Sequence, residues 1–591
     1  MEFEQVLVKT GGFGLFQRTV MVLTLILSGL HTTLYSFGHF LILVTPFSQW
    51  CFLNDTLNST IELSALPRGK CQSIGLASTE EGYQNETIFQ QGLQTCPSGW
   101  QYDHREFFPT ATTENQWVCG DSWKLYTVHT TFWLGSMAGY LVCGILSDRI
   151  GRKKTIVILI VIGASASLAG TYFSDLVGFS VLRFFTGMGA LTVNSAVFVL
   201  VIEYTVSQRR TLIAFLWATT GCVVGCAAPW FGYLTQNWRA FLYAAVVADA
   251  LLLLCVAWIP ESSSWLLSVG RTPDAVRSLQ RLASRNGKSI TGEAVLELLL
   301  GKDKQSSPKI LTFCESTKAM LKRPRILRIT LLIYAAWFFI SLCYNCCTLE
   351  LGRLGLNIYT TYSVAMAFEL PVYIICIVSV DVLGRRWPNV IFLLVGGVSS
   401  IAMGVARSNS GQWTLVMAAL SISMFAGGYT VTYQLASEIF PTVIRGRAVQ
   451  LQRLVGDLGG LAGMHVAALA ERDRYLPVTA MGAMALAASA FAFFLPDTVH
   501  QALPQTLEDG EGLARDRGLF YCPVSARDLR MNRWGGHQSS HCSTRSNGRL
   551  SSRLGESSAR KEDSAEKAVH WGASPENPQC LLEVCERDPP S

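Results

Sequence analysis

The sequence predicts an all-α membrane protein of twelve transmembrane helices in two pseudo-symmetric six-helix lobes. Three observations predict it. Half of the 591 residues are hydrophobic and only 15% are charged, against about a quarter in soluble domains. The apolar residues are bunched into runs of about 20, the length that crosses a bilayer. A hydrophilic island, 146–154, holds Asp148, Arg149, Gly151, Arg152, Lys153 and Lys154; it returns in the second half as Asp381, Gly384, Arg385 and Arg386, each island between two apolar runs. In each, a glycine lets two helix ends approach, and the basic cluster keeps the turn on the cytoplasmic side. One such island is an ordinary charged loop. Two, at matching places in two six-span halves, are not.

In chain order, the first span is 19–44. Its short polar lead has no small-residue cleavage site behind it, so the span reads as a retained anchor and not as a signal peptide. The loop 46–123 carries Cys51, Cys71, Cys96 and Cys119, together with glycosylation sequons at Asn54, Asn58 and Asn85. A lone sequon arises easily by chance. Three beside four cysteines indicate an oxidising external face, which leaves both termini cytoplasmic. Four cysteines allow three disulfide pairings, and the spacing does not choose. Spans two to six are expected at 125–146, 155–173, 179–201, 212–234 and 241–259, completing an N-terminal lobe, 1–259. A basic inter-lobe loop, 260–328, has helix-like charged stretches. Spans seven to twelve follow at 329–348, 359–380, 389–406, 413–434, 449–469 and 476–495. The short inner loops carry ten Lys/Arg against five in the short outer ones, as the positive-inside bias requires. The tail 496–591 is Ser-rich, of mixed charge and without periodicity, and is expected to be disordered.

The islands resemble the loop signature of the major facilitator superfamily, and further stretches narrow the resemblance. Gly99-Trp100-Gln101-Tyr102-Asp103 with Asn115-Gln116-Trp117-Val118-Cys119-Gly120-Asp121, and Phe13-Gly14-Leu15-Phe16-Gln17, look like the external-loop and pre-span signatures of the organic cation/anion/carnitine transporter family. Pro260-Glu261-Ser262 ahead of Trp265-Leu266-Leu267 resembles its P-E-S-x-x-W-L-L. Ser437-Glu438-Ile439-Phe440-Pro441-Thr442 through Arg445 resembles its A-E-L-(Y/F)-P-T-x-x-R, and Leu495-Pro496-Asp497-Thr498 its L-P-E-T. The resemblance covers residues 13–509. It departs from the family at three places: four loop cysteines where six are common, Ser263-Ser264 in place of a Pro-Arg pair, and Asn194 near where cation carriers tend to have Trp.

Ionisable side chains inside the membrane are costly and need a reason. Asp457, in Gly456-Asp457-Leu458-Gly459-Gly460, lies ten residues beyond Arg447, about 15 Å along a helix, near the midplane where such transporters bind substrate. The family's cation carriers resemble this with D-(I/L)-G-G, which implies a counter-charge for a cationic substrate; the alternative is an ion pair with Arg453, one turn away. Asp249 is a second buried acid, either a proton or cation site or an interhelical hydrogen bond, and the structural role comes first. His31 and His39 read as packed, hydrogen-bonded groups. Aromatic faces attract protonated or quaternary amines, so Tyr344, Tyr433, Trp337, Tyr35 and Trp217 are substrate-binding candidates, with Thr430 and Gln434 as polar neighbours and Phe368 and Tyr429 as further ring candidates. Most membrane aromatics face lipid or another helix. Glu203 above Arg210, and Glu438 above Arg445, stand symmetrically. The resemblance implies that they gate the cytoplasmic mouth with Asp148, Arg149, Gly151, Arg152, Asp381 and Arg385, against a static anchoring role.

These residues predict a secondary transporter of small organic ions at the plasma membrane, moving organic cations or zwitterions such as carnitine by alternating access. The alternatives are an organic anion exchanger, with Arg453 supplying the attraction, and a transport-inactive, receptor-like member. An enzyme is not expected: there is no phosphate-binding G-x-x-x-x-G-K-(S/T), no metal-spaced His/Cys cluster and no nucleophile–base arrangement in a soluble domain. No cofactor or catalytic residue is implied. The net charge of +6 is spread over loops and tail with no aromatic-interleaved basic patch, so nucleic acid is not an expected partner; a small organic ion and the lipid bilayer are. Oligomeric state is not legible.

Overall fold

The computed structural model describes residues 2–46, 48–52, 71–77, 86–91, 95–104, 107–206, 209–300, 318, 322–354, 356–406, 411–471, 473, 475–499, 501, 504, 506–513, 518 and 521. A short helix α1 (Glu2–Lys9) precedes α2 (Val22–Ile42), which a π turn, Gln17–Met21, extends. After the external loop come α4 (Ser122–Ile150), α5 (Arg152–Ala169), α6 (Leu176–Glu203), α7 (Arg210–Thr235) and α8 (Arg239–Trp258); α3 (Ala111–Glu114) is a single turn in that loop. Three shorter helices, α9 (Ser263–Ser268), α10 (Thr272–Arg285) and α11 (Gly292–Leu300), lead to the second half. There α12 (Pro324–Leu351), α13 (Ile358–Leu383), α14 (Arg386–Ala406), α15 (Gly411–Ile439), α16 (Thr442–Ala468) and α17 (Leu476–Phe493) are followed by the short α18 (Leu507–Gly512). Among the described residues nine helices are long and apolar enough to cross a membrane: α2, α4, α6, α8, α12, α13, α14, α15 and α17. Of the other long ones, α5 opens on Arg152-Lys153-Lys154, and α16 carries Arg445, Arg447, Arg453 and Asp457.

The junctions show why the chain turns where it does. Gly151 is the one residue between α4 and α5, at φ +104°; a Cβ there would lie 2.5 Å from a carboxylate oxygen of Glu261. Gly384, at φ +85°, joins α13 to α14 against Asp497. Positive φ and a close neighbour both demand glycine. The neighbours are themselves the acids of the two post-span motifs. Glu261 accepts the Lys153 backbone N–H at 3.0 Å, and Asp497 accepts those of Arg385 and Arg386 at 3.4 Å each. Each therefore satisfies donors at the N-terminus of the helix that follows, where the helix dipole favours a negative charge. Asp175 and Asn357 N-cap α6 and α13 in the same manner.

In the first half α6 packs on α4 and α5, and α2 on α6, α7 and α8; in the second, α12 packs on α16, α15 and α17, and α14 on α15 and α17. Two seams join the halves, α4 on α16 and α7 on α13. At the end that bears the 46–123 loop a single apolar cluster unites both halves, with Phe37, Leu41, Phe108 and Phe241 against Tyr359, Tyr362 and Met366. At the opposite end the clusters are separate: Leu25, Leu200 and Tyr204 in one half, Ile333, Leu435 and Phe440 in the other. The first of these extends over α10, whose buried Leu279 and Leu282 meet Val6 and Leu7 of α1. The Asn286 side chain locks this layer, accepting the Phe16 N–H at 3.0 Å and donating to Thr10 and Gln17.

The external loop is tied by two disulfides, Cys51–Cys96 and Cys71–Cys119, so one of the three possible pairings is formed. A three-stranded sheet runs through it, β1 (Trp50–Phe52) parallel to β2 (Gln72–Ala77), and β2 antiparallel to β3 (Glu86–Gln91). Asn54, Asn58 and Asn85 lie outside the described residues. At the loop's end Thr110 and Thr113 form a reciprocal cap on α3, and Glu114 receives both Arg239 terminal nitrogens at 2.8 Å and the Trp238 indole N–H at 2.6 Å. The Arg239 bonds, seconded by Trp238, hold the Glu114 carboxyl below its usual range despite partial burial. A depressed folded pKa means that this anchor contributes its full stability above the unfolded value of about 4.3 and loses it as pH falls through the folded value. The loop is accordingly expected to become more protease-sensitive on acidification below that point, and Glu114→Gln to be sensitive already at neutral pH. Limited proteolysis across a pH series checks both.

The segment after α17 corrects one expectation. Residues 496–591 are expected to be disordered, yet α18 forms there, with a reciprocal Thr506/Asp509 cap, and Glu511 bonds Arg323 at 3.0 Å. Polar capping and ion pairing order this stretch without hydrophobic periodicity, which is why composition conceals it. From 522 onward the expected tail lies outside the described residues.

Candidate functional site

The stretch around Asp457 builds the site. Gly456, Gly459, Gly460 and Gly463 recur at helical spacing on α16, and Cβ atoms there would strike the Trp337 indole, the Phe338 carbonyl, Asn345 and Trp133, and the Leu342 carbonyl respectively. The missing side chains let α16 approach α12 and α4 at backbone distance. Asp457, 7% exposed, accepts a 2.6 Å hydrogen bond from Ser136 of α4, in the other half. Arg453, one turn earlier, turns to aromatic rings: its guanidinium is 4.3 Å from the Tyr433 ring, 5.6 Å from Trp337 and 5.9 Å from Tyr429, and it donates to the Tyr429 hydroxyl at 3.2 Å. Trp337 and Tyr429 lie 4.0 Å apart. Among the described residues Asp457 and Arg453 form no ion pair. The acid and the base are held apart, each by its own partners.

A second carboxylate, Glu369 of α13, escaped the sequence analysis. It is 4% exposed. Tyr344 donates to it at 3.1 Å, Tyr373 at 3.3 Å, and the Cys222 thiol of α7 lies 3.9 Å away. Each seam between the halves therefore holds one buried acid of the second half, touched by a small donor of the first. The signal was available: Glu369 interrupts an apolar run one turn from Tyr373. Its neighbour Phe368, chosen as a cavity ring, is 40% exposed and turned outward.

The other candidates divide. Trp337, Tyr344 and Tyr433 stand with the two acids and Arg453. Tyr35 does not: its hydroxyl donates to Asp249 at 2.7 Å inside the first half. Trp217 packs beside Phe198, with its edge near Gly29. Thr430 bonds back to the Ala426 carbonyl at 3.0 Å, and Gln434 donates to Glu438 at 3.2 Å. Asn194 accepts from Ser28 at 3.0 Å, and His39 meets His129 at 3.0 Å.

At the end opposite the loop the expected symmetric pairs form, but inside each half. Arg152 lies 3.6 Å from Glu203 and 3.6 Å from Asp148; Arg385 lies 3.0 Å from Glu438. The link across the halves is Asp148 with Arg447, not with Glu438. Arg445 donates to the Phe440 and Pro504 carbonyls, Arg149 is exposed, and the side chains of Arg210 and Asp381 lie outside the described residues. At the loop-bearing end of the same α4–α16 seam, Arg353 joins Glu350 at 3.1 Å, the Ala467 carbonyl at 2.5 Å and the Tyr126 hydroxyl of α4 at 2.5 Å. Sequence analysis did not single out these residues.

Residues 83–509 match the family model described as "Sugar (and other) transporter". Human solute carrier family 22 member 7 is 31% identical over 86% of this chain and 96% of its own length. Organic cation transporter 1 of Caenorhabditis elegans is 27% identical over 74% of this chain and 75% of its own. The E. coli xylose transporter XylE, in a partially occluded inward-open conformation, superposes with a TM-score of 0.54 at 16% identity, over 82% of this chain and 99% of its own.

Proposed function

We propose, for a chain that belongs to solute carrier family 22 within the major facilitator superfamily, a preference for organic cations or zwitterions, with carnitine-like molecules in range. That the chain is a secondary transporter of small organic ions, and not an enzyme, follows from the family itself. Asp457 carries the finer reading. It is a buried acid that accepts a hydrogen bond from the neutral hydroxyl of Ser136 and forms no ion pair among the described residues, and a buried carboxylate outside an ion pair attracts a cation. Arg453 stands one turn, about 6 Å, along the helix, so a zwitterion could set its carboxylate toward the guanidinium and its ammonium toward Asp457 and Glu369, with Tyr344, Tyr433 and Trp337 supplying aromatic faces.

In this reading twelve spans form two six-helix lobes, 1–259 and 329–495, bridged by a cytoplasmic 260–328 segment. The protein sits in the plasma membrane with both termini inside and the loop 46–123 glycosylated at Asn54, Asn58 and Asn85 outside. Alternating access opens one end of the seams while the other is shut. Asp148, Arg149, Gly151, Arg152, Glu203, Arg210, Asp381, Arg385, Glu438 and Arg445 form the cytoplasmic gate, with Arg447 as the residue that crosses it.

Anion exchange is the second reading, favoured by Arg453, whose rings leave it without a carboxylate partner among the described residues. Uptake of a quaternary amine, carnitine and a dicarboxylate by wild type and Asp457→Asn separates the two. Absence of all three fluxes from a chain present at the surface supports the receptor-like alternative.

A further inference from the structure

Deep in the first half, away from Asp457 and Glu369, lies a second cluster of buried ionisable groups. Asp249 of α8 is contacted on both oxygens: His31 Nδ1 lies 2.5 Å from Oδ1, and the Tyr35 hydroxyl donates to Oδ2 at 2.7 Å. The other His31 nitrogen, Nε2, faces the Ala190 backbone carbonyl at 2.9 Å. A carbonyl only accepts, so Nε2 bears a hydrogen. Two bare lone pairs would repel at 2.5 Å, so a proton also occupies the His31–Asp249 contact. The cluster thus holds one shared, dissociable proton and is neutral with it, whichever atom binds it more tightly.

We propose that His31, Asp249 and Tyr35 form a proton-binding site separate from the substrate carboxylates, and that substrate passage is coupled to its loading and unloading. The coupling rests on the transporter reading; the proton site does not. When the proton leaves to water the cluster gains one negative charge, which an apolar interior tolerates only beside a cation. Arg183 of α6 is that cation. It is 3% exposed, stacks 4.8 Å from the Phe179 ring, and stands within electrostatic reach of Tyr35. Its Nη2 has no hydrogen-bond partner among the described residues. Arg183 is thus uncompensated while the cluster is protonated and balanced once the proton has gone.

The same arginine also acts on His39 and His129, a buried pair 3.0 Å apart. His39 Nδ1 and His129 Nε2 point into the interior with no partner among the described residues. Protonatable groups thus continue from the cluster toward the loop-bearing end. Toward α2, the helix α5 presents the neutral Ser167, and α7 presents Trp217 and Thr220; among the described residues, the charged or titratable groups facing the cluster are those already named. His31 also ties α2 to α6 through Ala190, one turn from the Ser28–Asn194 bond. Loss of its proton therefore alters a contact between two packed helices of the first half.

Infrared difference spectra of the purified full chain, recorded across a pH series, test the site without any substrate. The expected result is a carboxyl and imidazole difference that vanishes in Asp249→Asn and in His31→Gln and persists in Asp457→Asn. The milder Tyr35→Phe removes the hydroxyl that donates to Asp249 Oδ2 at 2.7 Å and should shift the frequency of the carboxyl band. An unchanged difference in Asp249→Asn and His31→Gln, or a carboxyl band unmoved in Tyr35→Phe, overturns the site. In proteoliposomes, an imposed pH gradient should drive carnitine or amine accumulation by wild type, while His31→Gln keeps exchange and loses that drive. Accumulation indifferent to the gradient in wild type overturns the coupling. Failure of the transporter reading is distinct: no flux of any substrate, with the infrared difference intact.

Discussion

Asp457→Asn lowers uptake of a quaternary amine and of carnitine by about tenfold or more at unchanged surface level. A hydrogen-bonded or ion-paired charge contributes about 1.5–3 kcal/mol, and 1.4 kcal/mol is a factor of ten. The amide keeps the shape and can still bond Ser136, which holds the carboxylate at 2.6 Å, so folding is expected to survive and the loss to report charge. Arg453→Gln should act oppositely by substrate: amine uptake is retained and carnitine, which also carries a carboxylate, falls. Initial rates of labelled uptake, normalised to surface biotinylation, check both. Dicarboxylate uptake that is present in wild type and untouched by Asp457→Asn would sink the cation reading and move the function to exchange.

Arg353→Ala and Arg447→Ala should shift the conformational balance in opposite directions. Glu350 is fully buried, and Arg353 joins it to Tyr126 and the Ala467 carbonyl across the halves. Stripping a buried charge of its partner costs about 3–5 kcal/mol, spent here on one end of the seam. Hydrogen exchange should therefore rise in residues 358–366 for Arg353→Ala. For Arg447→Ala, which frees only the exposed Asp148, a smaller rise is expected at 144–150. The pair Glu350→Gln with Arg353→Ala should restore part of the protection. Exchange that rises equally at both ends in either variant would show that neither contact holds its own end of the seam.

Much of this was legible before any coordinates. Apolar runs located the long helices, nine of which among the described residues are apolar enough to cross a membrane, because bilayer length and hydrophobicity leave little choice. The two islands announced Gly151 and Gly384, since positive φ and a close carboxylate permit little else. Asp457 is visible as a charge in an apolar run, and so is Glu369, beside the ring of Phe368. What stayed hidden is three-dimensional partnership. Nothing in the spacing says that Asp249 belongs to His31 and Tyr35, residues more than two hundred positions away. Nor does it say that Arg453 spends its charge on Tyr433 and leaves Asp457 to Ser136. That Arg447 reaches Asp148 of the other half while Glu438 pairs with Arg385 in its own was equally beyond local pattern.

The two external disulfides interleave: the Cys51–Cys96 loop opens before the Cys71–Cys119 loop and closes inside it. Every peptide bond from Cys51 to Cys119 is therefore spanned by at least one of them. A single proteolytic cut anywhere in that stretch leaves the polypeptide one covalent molecule, and the nick shows on a gel only after reduction.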